Sequence, residues 1–437
     1  MSGSRVMRFQ VTSKWWGALV AMAGLLAPAA ADAQQANRLG FNIGEKSKLH
    51  LNLDLATMWD SNSLRLDDTD GADDYRLVVR PSLEVEVPGT QATLRLGLGA
   101  TVSHYLGTGA ASSDETLVGA DGDIYLRLGS LKGPISFTLE NSPMLTPTVL
   151  PGVGTIAADE RLFPAFSDIG RAFITGRPGG GALEIDLGYE NQFLIYNRDQ
   201  GYQAPDDTFQ HSAFIEGRLK FLPKTAVLLY GDFGWFDPST PSGQPQTTLA
   251  SNPYSVLLGF RGQITRTLSA EIRAGYGETL VWIDERFGSL AETNQQTVIG
   301  LASVTWEPIR TAKVSLAYER SVQPITALSS FISDAIRLRT SWAIDRLVLG
   351  LYSELQFRDF GTTPPDTAEA TGAAREPFST LVLGGARADY YFNDWLVGGL
   401  NYRLMIQDSN DESRAGALPQ LGGFTRHQAI INLGVHY

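Results

Sequence analysis

Charged residues recur at every second position in several stretches of this chain, and that spacing is the first feature in it that could do chemistry. Arg76 and Arg80 share parity with Glu84 and Glu86, Glu184 with Asp186 and Glu190, Glu271 with Arg273, and Arg337 with Arg339. Residues two apart project from the same face of an extended segment. Each set would therefore line one face, and together the sets bring both signs of charge to that face, either as cross-strand ion pairs or as a lining that sorts ions. The candidates for such a lining are Arg95, Arg127, Arg273, Arg337, Arg339, Glu184, Asp186 and Glu271, together with the run Asp159-Glu160-Arg161. Because both signs fall on neighbouring segments, ion pairing is the favoured reading, and no solute is named by it.

Other chemistry finds less support. His50, His104, His211, His427 and His436 are scattered, and no motif places a Ser or Asp nucleophile beside any of them. The acidic stretch Asp67-Asp68-Thr69-Asp70-Gly71-Ala72-Asp73-Asp74 lacks the order and the closing Glu of an EF-hand and reads as a solvated loop. Gly97-Leu98-Gly99 and Gly398-Gly399 precede no helix, so they are strand glycines and not a phosphate cradle. With no Cys in the chain, thiolate metal sites and Cys nucleophiles are excluded. The expectation is a protein without a cofactor, a metal or a catalytic set.

The elements that position these charges are strands. Leu49, Leu51, Leu53 and Leu55 oppose His50, Asn52 and Asp54, and Leu183, Ile185, Leu187 and Tyr189 oppose Glu184, Asp186 and Glu190. This is the alternation of strands with one apolar and one polar face. About eighteen such strands can be placed between 48–60 and 424–437, sixteen being the other count that fits. Their links alternate. Pro88-Gly89-Thr90, Ser130-Leu131-Lys132, Leu222-Pro223-Lys224, Asp345-Arg346 and Asn393-Asp394 are short, whereas 61–74, 106–119, 142–165, 237–253, 359–378 and 408–423 are long. Greek-key sandwiches give no reason for that alternation; an up-and-down antiparallel transmembrane β-barrel, with tight turns on one rim and long loops on the other, does. Trp59, Tyr105, Trp235, Trp282, Trp306, Trp342, Tyr352, Tyr391 and Trp395 fall near strand ends, as girdle aromatics would. Loop 142–165, which carries Asp159, Glu160 and Arg161, is the candidate to fold inward and narrow the lumen.

The chain's beginning reads as a targeting segment. Arg5, Arg8 and Lys14 precede an apolar stretch from Trp15 to Leu26, then Ala29-Ala30-Ala31-Asp32-Ala33, which predicts a signal peptide over 1–33 cleaved after Ala33. Residues 34–47 then form a short N-terminal segment and 48–437 the barrel. At 437 residues, net charge -12 and mean hydropathy -0.08, the composition is that of a soluble acidic protein. Alternating faces explain it, since an apolar exterior averages against a polar interior and acidic loops.

Met58-Trp59-Asp60-Ser61-Asn62 at the first strand end resembles the aromatic-Asp-(Ser/Asp)-Asn signature of the outer-membrane β-barrel porin type 2 family, with Trp in place of Tyr. The last hairpin is similar as well, with Tyr402-Arg403, Asp408-Ser409-Asn410 and Phe424-Thr425-Arg426-His427, where His427 stands in place of the family's Asn. The final strand, with Ala429, Ile431, Leu433 and Val435 on the parity of Tyr437, looks like the C-terminal signal read by barrel-assembly machinery. The resemblance implies the architecture of an outer-membrane barrel more than an activity, and some related barrels look like partners of exopolysaccharide export. The leading expectation from the chain as a whole is a non-enzymatic outer-membrane pore that passes small polar solutes or serves a secreted polymer. Its partners would be outer-membrane lipid, lipopolysaccharide, the assembly machinery and, in some relatives, export-complex proteins. The alternatives are an assembly barrel in a polysaccharide-export or surface-motility complex and, third, an outer-membrane hydrolase.

Overall fold

In the computed structural model, the described residues are 40–61, 73–106, 116–146, 165–196, 206–239, 250–282, 295–325, 328–359, 378–409 and 423–437. A two-residue strand, β1 (Phe41–Asn42), is followed by eighteen long ones. In chain order these are β2 (Lys48–Asp60), β3 (Asp74–Val87), β4 (Ala92–Tyr105), β5 (Thr116–Leu128), β6 (Ile135–Thr146), β7 (Ala165–Gly176), β8 (Leu183–Tyr196), β9 (Asp207–Leu222) and β10 (Thr225–Ser239). Then come β11 (Ala250–Gln263), β12 (Leu268–Trp282), β13 (Gln295–Ile309), β14 (Ala312–Ile325), β15 (Leu328–Ile344), β16 (Leu347–Asp359), β17 (Phe378–Tyr391), β18 (Leu396–Ser409) and β19 (Phe424–His436).

Each strand from β2 to β19 pairs antiparallel with its sequence neighbours, and β19 pairs with β2 from Gln428↔Asp60 to His436↔Asn52. The sheet is thus a closed barrel of eighteen antiparallel strands without a free edge. Closure is tight at the seam, where Leu51 and Tyr437 exchange both backbone hydrogen bonds, at 2.7 and 2.9 Å. β1 folds back on β2 there and lays the Phe41 ring against that of Tyr437, centroids 4.7 Å apart.

The turn rim is built from tight links whose residues fit their conformations. Gly179, Gly180 and Gly181 all have positive φ (67°, 79° and 92°) in the β7–β8 turn, a region L side chains disfavour. Asp345 alone among the described non-glycine residues has positive φ, at 51°, in the two-residue β15–β16 turn, a conformation Asp tolerates.

Every predicted strand is present, but several run further than the alternation suggests. β6 continues to Thr146, β11 starts at Ala250, β14 runs to Ile325 and β15 starts at Leu328. Pro143, Pro253 and Pro324 lie in the added stretches and remain in register with Asp168, Thr279 and Ser330. These prolines sit towards the loop rim, where a missing ladder donor costs least. At ~3.4 Å per residue, β6 alone runs ~40 Å along its axis, beyond the 9–11 residues a tilted strand needs to cross a bilayer.

The apolar parity faces outward. Leu51, Leu98, Leu187, Leu258, Leu351 and Ile431 are among the exposed large hydrophobics, and the burial patterns alternate along the strands. Trp306, Trp342, Tyr390 and Trp395 are exposed near the turn rim, and Tyr75, Trp235, Tyr276 and Tyr402 nearer the loop rim. An apolar exterior between two aromatic girdles is stable in a bilayer and not in water. Tyr105, Tyr352 and Tyr391 are a correction to the predicted girdle: they share parity with inward Arg95, Glu354 and Asp389, and Arg76 donates to the Tyr105 hydroxyl at 3.2 Å. Trp282's side chain lies outside the described residues.

Candidate functional site

Inside the barrel, the polar parity brings charges from separate strands together. The largest network runs along the wall from β7 to β12. Glu184 accepts from Lys220 at 2.6 Å and lies 3.5 Å from Arg218 and 3.6 Å from Arg177. Arg218 also reaches Asp186 at 2.5 Å. Arg273 extends from β12 to Glu216 on β9 at 3.1 Å while holding Glu271 at 2.5 Å, and Arg261 closes on Glu271 at 2.6 Å. Arg273 and Glu271 are almost fully buried, so each offsets the desolvation of the other. Gly259 of β11 leaves the room that Arg273 crosses: a Cβ there would lie 2.7 Å from its Cγ.

A second group lies between β14 and β16. Arg337 donates to Glu319 at 2.6 Å and lies 3.1 Å from Glu354, one cation shared by two carboxylates. On the other side, Arg95 pairs with Asp123 at 3.0 Å, half exposed, and Arg127 donates to the Thr93 hydroxyl at 2.7 Å. Arg339, inward by parity, is exposed; no ion pair or hydrogen bond joins it to another described residue. Asp159, Glu160 and Arg161 lie outside the described residues.

Parity reading leaves out Arg171, which is central to this interior. It sits 3.0 Å from Glu190 and over the rings of Phe173 (5.1 Å) and Phe214 (4.6 Å). The polar-inside rule fails on β7, because Asp168 and Gly170 face outward while Phe173 faces in. It fails again on β9–β13, where Phe214, Tyr230, Leu257 and Ile299 form one buried cluster with Phe173 and Val322. The signal was an apolar residue on both parities, as in Val227-Leu228-Leu229-Tyr230.

The interior is therefore not uniform. Along β10 and β11 the mid-strand inward positions are all buried, whereas along β3 and β4 most keep partial exposure. Among the described residues, side chains of the β9–β13 wall pack against one another, and inward positions on the β3–β4 side keep exposure. A closed polar lumen with a packed wall opposite an open one can guide a hydrated solute. Among the described residues it offers no cluster of metal-ligating side chains.

No protein-family model matches the chain, and no curated protein does. Among solved structures the chain is similar to OprD of Pseudomonas aeruginosa, at 13% identity over 92% of this chain and 98% of that one, TM-score 0.44. It is similar also to OccK9 (OpdG) of Pseudomonas aeruginosa, at 13% identity over 90% of this chain and 99% of that one, TM-score 0.47. A third likeness is to the FrpB iron transporter of Neisseria meningitidis, at 8% identity over 89% of this chain and 81% of that one, TM-score 0.46.

Proposed function

We propose that this barrel sits in an outer membrane and passes small polar solutes by diffusion, without catalysing a reaction. The observation that carries the reading is the one-sided opening of the interior: inward positions on β3 and β4 keep exposure while those on β10 and β11 are buried. Eighteen strands enclose more volume than side chains alone fill, which leaves an aqueous path along the open wall. The polar lining supplies hydrogen-bonding partners along that path, and the ion pairs hold it rigid. The predicted signal peptide and C-terminal strand support export and insertion by the assembly machinery, with lipid and lipopolysaccharide around the exterior.

Planar-bilayer recording of the refolded chain tests this. Stepwise current increments of uniform size are expected; a correctly folded barrel that gives no steps at any voltage or salt concentration overturns the proposal.

A further inference from the structure

The apolar exterior is hollowed on one side. On β11–β13 the outward positions Gly262, Ala270 and Ala302 carry little or no side chain, and the register shows what surrounds them. Gly262 pairs with Ala270 and Ala270 with Val304, while Phe260 pairs with Ile272, Ile272 with Ala302 and Ala302 with Tyr318. The three small residues thus form a diagonal floor. Phe260 and Ile272 wall it on one side and Val304 and Leu316 on the other, all four being exposed large hydrophobics. The result is an apolar groove of about 800 Å³. A Cβ on Gly262 would lie 2.9 Å from Thr225 Oγ1, so the floor has no room for a side chain at that end.

The groove runs from the turn rim towards the middle of the wall. Gly262 sits next to the end of β11, whereas Ala302 lies well inside β13. At the far end stands Tyr318, held by its hydroxyl donating to Asp334 at 2.6 Å. The near end opens between cations. It is lined by Thr225, which adjoins Lys224, and by Ile264, which shares a turn with Arg266. Lys224, Arg266 and Arg310 occupy three successive turns, β9–β10, β11–β12 and β13–β14. Two strands separate each from the next, about 10 Å at ~4.8 Å per strand. All three are exposed, and no ion pair joins them to another described residue. Glu307, the carboxylate beside Arg310, lies 4.0 Å from Lys313.

We propose that this groove binds one anionic phospholipid, with an acyl chain along Gly262, Ala270 and Ala302 and the phosphate held by Lys224 and Arg266. An apolar slot with unmatched cations at its mouth matches a lipid end for end, hydrocarbon against hydrocarbon and phosphate against cation. The site is separate from solute passage and rests on the exterior facing lipid. Over a flat apolar wall lipids exchange freely with the bilayer. Here shape and charge act on the same molecule and retain it.

The test is native mass spectrometry of the refolded full chain, offered phosphatidylglycerol and phosphatidylcholine with identical acyl chains at equal concentration. A single retained lipid is expected, with phosphatidylglycerol preferred by about five-fold or more. Lys224→Gln/Arg266→Gln, at two exposed turn positions, should abolish the preference. Ala270→Phe/Ala302→Phe fills the slot and should reduce retention of both lipids, with Ala270→Phe alone serving if the double variant does not fold. Ala100→Phe, at an outward position on β4, should leave retention as in wild type. No retained lipid, equal retention of the two headgroups, or a preference unmoved by the turn variants overturns the proposal. So does a dimer that the slot-filling variants abolish, which would give the groove to a second copy of the chain. A chain that does not fold into vesicles overturns the lipid-facing exterior itself, and this site with it.

Discussion

Arg80 crosses an entire strand to reach Asp121, its guanidinium 2.6 Å from the carboxylate, passing over the bare backbone of Gly99. β4 lies between their strands, and a Cβ on Gly99 would sit 2.7 Å from Asp121 Oδ1. The glycine is there because the ion pair needs its space. Gly99→Val should force the pair apart and cost about 1–3 kcal/mol. Urea unfolding followed by tryptophan fluorescence in micelles would show it, and a midpoint equal to wild type would refute the assignment.

Arg337 is the single cation between Glu319 and Glu354. Arg337→Met would leave two carboxylates facing each other, both largely shielded from water, at a cost of about 3–5 kcal/mol. Replacing all three, as Glu319→Gln/Arg337→Met/Glu354→Gln, should recover most of that loss. If the triple variant is no more stable than the single one, the pair is not what the arginine holds.

Leu257 is 1% exposed on the inner wall, packed with Phe214 and Tyr230. Leu257→Ala should cost about 2–5 kcal/mol, the range for a cavity in a packed core, although the residue lines a barrel interior. A cost near zero in the same urea titration would mean that this wall is wet, and would place the open path elsewhere.

Leu258, one residue on, faces outward and is 55% exposed. On a water-soluble surface Leu258→Arg would cost nothing. In the middle of a lipid-facing band it should cost about 2–4 kcal/mol. The measurement is the yield of heat-modifiable, folded protein after refolding into vesicles; equal yields for variant and wild type would count against a lipid-facing exterior.

Much of the fold is legible in the sequence because lipid and lumen impose opposite demands on alternate residues. Leu49 to Leu55 and Leu183 to Tyr189 declare their faces outright. The strand ends are less legible, since beyond the bilayer the outward face no longer has to be apolar and Pro253 or Pro324 looks like a stop. The interior chemistry is legible as residue type but not as partnership: Arg273 with Glu216, and Arg80 with Asp121, bridge strands that are not adjacent, and only the register brings them together. Arg171 is hidden for a different reason, because the β7–β13 wall buries apolar side chains inward and so erases the contrast on which parity depends.

The seam between β2 and β19 has a consequence for how the chain can be engineered. With Tyr437 bonded to Leu51 and its ring tilted against that of Phe41, the two ends of the described barrel lie side by side on one rim. The barrel is a ring whose opening point is interchangeable. A linker of a few residues could join Tyr437 to Phe41, and new termini could be cut at the Asp345-Arg346 or Leu222-Pro223-Lys224 turn, giving circular permutants that keep every strand pair.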